Sequence, residues 1–313
     1  MLREVNLSIA NVCNADCVYC PRSFIKADPS FMRLELVEKI LAEITSTEFK
    51  AKHTVTQSVL SENGEPFLHP QILNILRMFK AAEMPVMLFS NFSRLVGDLA
   101  EKIIREDLIH CIHVNIDGAT PETYHAAKGL PLGPVAYNLV NFLTIRNAMS
   151  SHIRVFMHVI THRTYSQAVL QAYNRVPVKF QGIYNQDEAQ VIKRWTESIN
   201  PDLDNIGADG VFFWPERYAG GSMRAGIFNC PNIDRIKHVA YINPAGDWYA
   251  CCFDMGNELI MGNVHEQSIQ EISVSERRLE LIDNLEMRRF ERVGFPCTRV
   301  DACQGMGRNE IDC

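Results

Sequence analysis

The sequence has no long apolar run: nothing in its 313 residues approaches the roughly 18 consecutive apolar positions that mark a bilayer-spanning helix. It has no basic excess either. Lysine and arginine total 31 against 37 acidic residues, a net charge of −6, so no nucleic-acid surface is implied. The opening Met-Leu-Arg-Glu-Val-Asn carries charges where a signal peptide has its apolar core, and the expected location is the cytoplasm. No internal sequence repeat is present. Cysteine is nearly absent from the middle of the chain. Of ten cysteines, three lie in the first twenty residues, six lie in residues 230–313, and only Cys111 lies between. That distribution argues against an evenly stapled secreted scaffold, and two thiol groups in a long chain point to two metal sites. Hydrophobic residues at 47% and charged residues at 22% otherwise describe an ordinary globular protein. The length suits one large domain, or a domain with a smaller appendage.

The first thiol group is Asn11-Val-Cys-Asn-Ala-Asp-Cys-Val-Tyr-Cys-Pro21, a loop just after the apolar segment 2–9. Cubane iron–sulfur clusters are held by thiolates, and one with four protein ligands is closed. Cys13, Cys17 and Cys20 have no fourth cysteine nearby, so they leave one iron open to another ligand. A zinc knuckle is the competing reading, but zinc wants four ligands, usually as two pairs. The spacing, followed by Glu62-Asn63-Gly64-Glu65-Pro66, resembles the radical S-adenosylmethionine (SAM) superfamily, and Tyr19 before the last cysteine fits that resemblance. The resemblance implies a [4Fe-4S] cluster on these cysteines, with SAM bound at the open iron through its amino and carboxylate groups. One electron then breaks the sulfonium, and the resulting 5′-deoxyadenosyl radical takes a hydrogen atom from a substrate C–H bond. It also implies that Gly64, Glu65 and Pro66 surround the methionine amino group, where a glycine allows close backbone approach. Asn63 stands where many members have a further glycine. Asn115 and Asp117 are carried over as residues near the ribose, and a flavodoxin- or ferredoxin-type protein as the electron donor.

Along the chain, strands are expected at 2–9, 54–60, 86–89, 109–116, 154–160 and 210–214. Helices are expected at 32–44, 70–82, 95–105, 134–149, 166–175 and 186–199. Alternation with short connections argues for βαβ units and a parallel sheet. With the resemblance, this α/β chain is expected to form a partial (β/α)6 TIM-like barrel at 1–218 and a small C-terminal α+β iron–sulfur domain at 219–313. The joint is placed at Tyr218-Ala-Gly-Gly-Ser. His113, Asn115, Asp117 and His158 interrupt apolar strands near their carboxyl ends, where barrels place ligands, and are read as cavity-lining candidates. Hydrogen-bonded scaffold is the alternative for each.

Beyond the joint, a hairpin is expected across 238–251, then helical spacing over 266–289. Asp117-Gly-Ala-Thr-Pro-Glu-Thr-Tyr124 resembles a segment common in members with a C-terminal cluster domain. So does Cys230 followed, after fifteen residues, by Gly246-x-x-x-x-Cys251. Together they resemble the SPASM and Twitch extensions. Only Cys297, Cys303 and Cys313 follow, so one auxiliary [4Fe-4S] cluster is expected, on Cys230, Cys251, Cys297 and Cys303, with Cys313 as the substitute. Cys252 points to the face opposite Cys251. It is read as facing the barrel mouth and donating a hydrogen atom to a substrate radical, or else as a small buried hydrophobe like Cys111. The chain starts almost directly at its first strand, without room for an N-terminal peptide-recognition module, and its cavity residues are polar. The expected substrate is therefore a small polar molecule (an amino sugar, nucleoside or similar natural-product intermediate) that is dehydrogenated, dehydrated or epimerised. The alternatives are a peptide- or protein-modifying member of the same superfamily and, from another class, a non-catalytic electron-transfer or zinc-binding protein.

Overall fold

The computed structural model describes residues 1–17, 20, 22, 28–161, 193, 195, 199, 202, 204–210, 230, 232–254, 256–294 and 296–298, with backbone alone at 160–161 and 205–210. Five strands run parallel in one sheet: β2 (Ser58–Val59), β3 (Val86–Ser90), β4 (Cys111–Asn115), β5 (Arg154–Thr161) and β6 (Asn205–Gly210). Helices alternate with them: α1 (Leu34–Thr45) and α2 (Thr47–Lys50) before β2, α3 (Ile72–Ala81) before β3, and α4 (Gly97–Arg105) before β4. Two helices, α5 (Pro121–Lys128) and α6 (Leu132–Ala148), separate β4 from β5. This is the parallel α/β sheet that the alternation implies and is consistent with the partial barrel that the resemblance implies.

The helices form where apolar residues recur on one face. α1 buries Leu36, Val37, Ile40, Leu41 and Ile44, and α3 buries Ile72, Ile75, Leu76 and Phe79. Each such side chain contributes about 2 kcal/mol on burial. On β5 the period is two: Val155, Met157 and Val159 are buried against the helices, while Arg154, Phe156 and His158 are half-exposed on the inner face. α5 carries both of its stop signals. Thr120 and Thr123 make a capping box with Pro121 in the first turn, and Gly129 ends the helix at φ 67°.

The second sheet begins with β1 (Glu4–Leu7). It pairs in parallel with β7 (Val239–Ile242), followed by antiparallel β8 (Asp247–Tyr249) and β9 (Ile260–Asn263). A bridge between Glu4 and Gln57 ties β1 to the segment leading into β2, so the two sheets meet edge to edge. α7 (Ile233–His238), α8 (Ile269–Ser273), α9 (Glu276–Glu286) and α10 (Phe290–Val293) accompany the hairpin. Lys39 Nζ donates to His265 O at 3.1 Å and Gln270 N to Glu43 Oε1 at 2.9 Å, docking this region on α1.

Several elements differ from the sequence reading. Asn6 and Ser8, on what looks like a polar face, are wholly buried because β1 is covered on both sides. β6 is described at 205–210, earlier than the expected start at 210, and 211–214 lie outside the described residues. Its two glycines give little strand signal, and the backbone ladder to β5 decides its place. The helical stretch 266–289 is broken because Ser268 and Ser275 each cap a new helix. The expected helix at 166–175 and the joint at Tyr218 lie outside the described residues, as does most of 186–199. Among the described residues, no helix is long and apolar enough to cross a membrane.

Candidate functional site

The cysteine loop follows β1, at the carboxyl ends of the parallel strands. Asn11 pins its two ends together: its Nδ2 donates to Asp28 O at 2.8 Å and its Oδ1 accepts from Ser30 N at 2.6 Å. Arg22 Nη2 donates to Asn11 O at 3.1 Å. Cys17, Cys20, Ala15, Asp16 and Arg22 line an open hollow of about 160 Å³. Tyr19 lies outside the described residues.

The second support comes from the Gly64-Glu65-Pro66 turn. A Cβ on Gly64 would stand 2.3 Å from Ala10 O and 2.7 Å from Val12 O, so the close approach this glycine permits is to the chain's own backbone entering the cysteine loop. Glu65 N donates to Val12 O at 2.8 Å. The Glu65 carboxylate is buried and accepts from Ser90 Oγ at 2.8 Å, Asn91 N at 2.7 Å and Phe67 N at 3.2 Å. Burial pushes it up to about 7 despite those donors. At the end of β3, Asn91 Nδ2 donates to Asn14 Oδ1 at 3.1 Å and stands 3.8 Å from Cys13 Sγ, while Asn14 Nδ2 donates to Ser93 Oγ at 2.8 Å.

Burial is also the main cause that raises the Cys13 and Cys20 thiols, Cys20 to about 12, and Cys17 adds to both. These thiols therefore stay protonated until a metal displaces the proton. Among the described residues no three His, Cys, Asp or Glu side chains gather around one ion. Three thiols on one short loop suit a cluster with one open iron better than a four-ligand zinc site. Two buried polar atoms beside the loop lack a hydrogen-bond partner, Asn63 Oδ1 and the Tyr124 hydroxyl. The donor set and these orphaned groups fit a four-iron cluster and a SAM bearing an ammonium group.

Asp117 does not reach an open cavity. It is fully buried and pairs with Lys128 Nζ at 3.2 Å, and Lys128 is itself buried at the end of α5. Asn115 and His158 do share the inner face, as adjacent register partners on β4 and β5. His113 Nδ1 lies 2.8 Å from His158 Nε2, and the His113 ring stacks between Phe89 and Phe156, with centroids 4.6 and 4.7 Å away. Burial, His158 and Arg154 together depress His113 to about 3, so it is neutral. Cys111 is buried within β4.

Cys252 is half-buried just after β8, which runs antiparallel to β7, and Asn232 Nδ2 approaches its Sγ at 3.9 Å. Its charge is felt by Arg235, Tyr241 and Tyr249. Arg235 bonds Tyr241 Oη at 2.9 Å and Glu4 Oε1 at 2.8 Å. Glu62, whose tip is enclosed although part of its side chain is accessible, accepts from Asn6 Nδ2 at 2.9 Å, and burial pushes it up to about 7. Cys251 is buried and Cys230 and Cys297 are half-buried, while Cys303 and Cys313 lie outside the described residues. The sequence reading missed Asn14, Ser90, Asn91 and Lys128. A polar Ser90-Asn91 pair at a strand's carboxyl end was the available signal for two of them.

The family model of the radical SAM superfamily matches residues 7–169, and that of an iron–sulfur cluster-binding domain, SPASM, matches residues 230–304. The mycofactocin maturase MftC of Mycobacterium tuberculosis is 23% identical over 314 aligned residues, covering 94% of this chain and 75% of that protein. Among solved structures, Streptococcus suis SuiB bound to precursor peptide SuiA shares the fold with TM-score 0.59 and 13% identity, over 97% of this chain and 76% of that one. BtrN in complex with AdoMet and 2-DOIA does so with TM-score 0.54 and 13% identity, over 97% and 92%. The radical SAM match spans more than half of the chain and includes the cysteine loop, the Gly64-Glu65-Pro66 turn and the inner strand faces. The chain is a member of the radical SAM superfamily, with a SPASM-type cluster-binding region toward its C-terminus.

Proposed function

We propose that this radical SAM enzyme modifies a peptide, removing a hydrogen atom from one of its residues inside the partial barrel. One observation carries this reading. Likeness to a maturase extends over 94% of the chain, and a solved neighbour, SuiB, is bound to a precursor peptide. The expectation of a small polar substrate gives way to this alternative.

In this reading Cys13, Cys17 and Cys20 hold the SAM-binding [4Fe-4S] cluster, and Gly64, Glu65, Pro66 and Asn115 shape the place for SAM. Cys230, Cys251, Cys297 and Cys303 hold auxiliary iron–sulfur. The cluster and SAM supply one-electron cleavage of the sulfonium and hydrogen abstraction when bound. The chain's own groups orient the substrate: Phe89 and Phe156 exclude water from the inner wall, and His158, braced by neutral His113, offers a hydrogen-bonding edge. Cys252 stands as a candidate hydrogen donor to a substrate radical. A flavodoxin- or ferredoxin-type protein is the proposed electron source, and the residue 1–218 barrel and 219–313 extension are the proposed domains.

The test is anaerobic reconstitution with iron and sulfide, then incubation with dithionite, SAM and a synthetic peptide encoded beside the gene. A peptide mass loss with matching 5′-deoxyadenosine is expected. Intact peptide, with 5′-deoxyadenosine formed only when an amino sugar or nucleoside is supplied, establishes the small-molecule reading. That second reading is kept because BtrN, solved with 2-DOIA, shares the fold over nearly its whole length.

A further inference from the structure

α5 brings an unusual set of groups up to the cysteine loop, whose backbone it meets at Asp16. Tyr124 is wholly buried, yet its hydroxyl has no hydrogen-bond partner. A buried hydroxyl left unbonded is costly, and folded proteins rarely keep one without a reason. Lys128, in the last turn, is almost completely buried, and its ammonium lies 3.2 Å from the Asp117 carboxylate. The Asp117 carboxylate offsets the cost of burying that ammonium.

The geometry is pinned by backbone rather than by side-chain chance. Asp16 N, in the residue before Cys17, donates to Lys128 O at 2.9 Å. Gly129 follows at φ 67°, where a Cβ would stand 3.0 Å from Asp16 Cβ. At the other end of the segment, a Cβ on Gly118 would lie 2.4 Å from Tyr124 N, so glycine is what lets Asp117 and Tyr124 share the space. Helix C-termini carry partial negative charge, and a cation in the last turn offsets it.

We propose that Tyr124 and Lys128 back the cluster at Cys17: the Tyr124 hydroxyl donates a hydrogen bond to a sulfur there, and the Lys128 ammonium balances its negative charge, so that the pair sets the cluster's reduction potential. This rests on the reading of Cys13, Cys17 and Cys20 as cluster ligands. Net charge and hydrogen bonds to sulfur are two of the levers by which a protein sets that potential. Reduction adds negative charge, so a nearby cation and a donor both raise the potential, and a nearby carboxylate lowers it. Both are positioning residues, since neither is a cluster ligand.

The experiment uses the full chain, loaded anaerobically, and follows the midpoint potential through the EPR signal that added SAM perturbs. Tyr124→Phe and Lys128→Met each shift the midpoint to lower potential, Lys128→Arg stays near the parent, and Asp117→Asn shifts it upward. Metal-free Tyr124→Phe melts at or above the parent temperature, because its lost oxygen bonds nothing in the protein. An unchanged midpoint in iron-loaded Tyr124→Phe and Lys128→Met overturns the proposal. So does a metal-free Tyr124→Phe that melts well below the parent, which assigns the hydroxyl a purely structural bond. An iron and sulfide assay finding no cluster at the three cysteines overturns the underlying reading and the proposal with it.

Discussion

Cys13, Cys17 and Cys20 belong to one short loop, whereas Cys230, Cys251 and Cys297 come from three separate places: before α7, after β8 and after α10. The first group is local in sequence but leans on distant elements, through Asn91 from β3, Gly64 from the β2 turn and Lys128 from α5. The second is dispersed in sequence, and the β7–β8 hairpin that leads to Cys251 pairs along β1. Each group has an orphaned tyrosine hydroxyl, Tyr124 near Cys17 and Tyr249 near Cys251 and Cys252. A short spacing can thus specify a ligand set, while the polar backing that makes it usable is a property of the fold.

The strongest way to break that contrast is to remove one thiol from each group. Cys17→Ala abolishes 5′-deoxyadenosine formation and leaves the C-terminal iron in place. Cys251→Ala loses the auxiliary iron but still cleaves SAM, as iron assay and chromatography of the products will show. Backbone packing sharpens it further. Gly64→Ala costs about 3 kcal/mol in thermal or denaturant unfolding, because carbonyl oxygens rather than flexible side chains occupy the space. Gly246→Ala, at φ 85° in the hairpin turn, meets only the movable His265 ring and an Asn263 oxygen, and costs about 1 kcal/mol.

The two inner-wall titrating groups respond to pH in opposite directions. Glu62 is raised from 4.5 to about 7 in the fold, so its contribution is complete below pH 4.5 and is lost as pH rises toward 7. His113 is depressed from 6.5 to about 3, so its contribution is present above pH 6.5 and is lost as pH falls toward 3. Glu62→Gln flattens the stability profile on the first limb and His113→Phe on the second, each read by thermal melts across the range. The smallest effect belongs to Cys252. In an epimerising enzyme its alanine variant keeps forming 5′-deoxyadenosine but loses solvent deuterium from the product, and persistent labelling removes Cys252 as the donor.

Much of the barrel was legible because its signals are periodic. α1 and α3 repeat apolar residues at helical spacing, and β3 through β5 are runs of apolar residues with short connections. What stayed hidden depends on partners far away in the chain. Asn6 and Ser8 alternate with apolar residues along β1, and Glu62, Val59 N and Asn63 N satisfy them in the interior. Asp117 read as a strand-end ligand, although a lysine eleven positions on, at the far end of a helix, is its actual ion-pair partner. β9 carried no recognisable strand signal, since Ile260-Met-Gly-Asn is short and ends in turn-forming residues. The three-cysteine spacing was plain from the outset, and none of the groups supporting it from β3 and α5 was.

The parallel ladder from Glu4–Val239 to Leu7–Ile242 sets an order of events on the ribosome. β1 emerges first, yet its hydrogen-bonding neighbour on that side does not exist until some 230 residues later. Parallel pairing across so long a separation is slow to form. The strand that launches the cysteine loop therefore keeps one edge open until the hairpin that leads to Cys251 has been made.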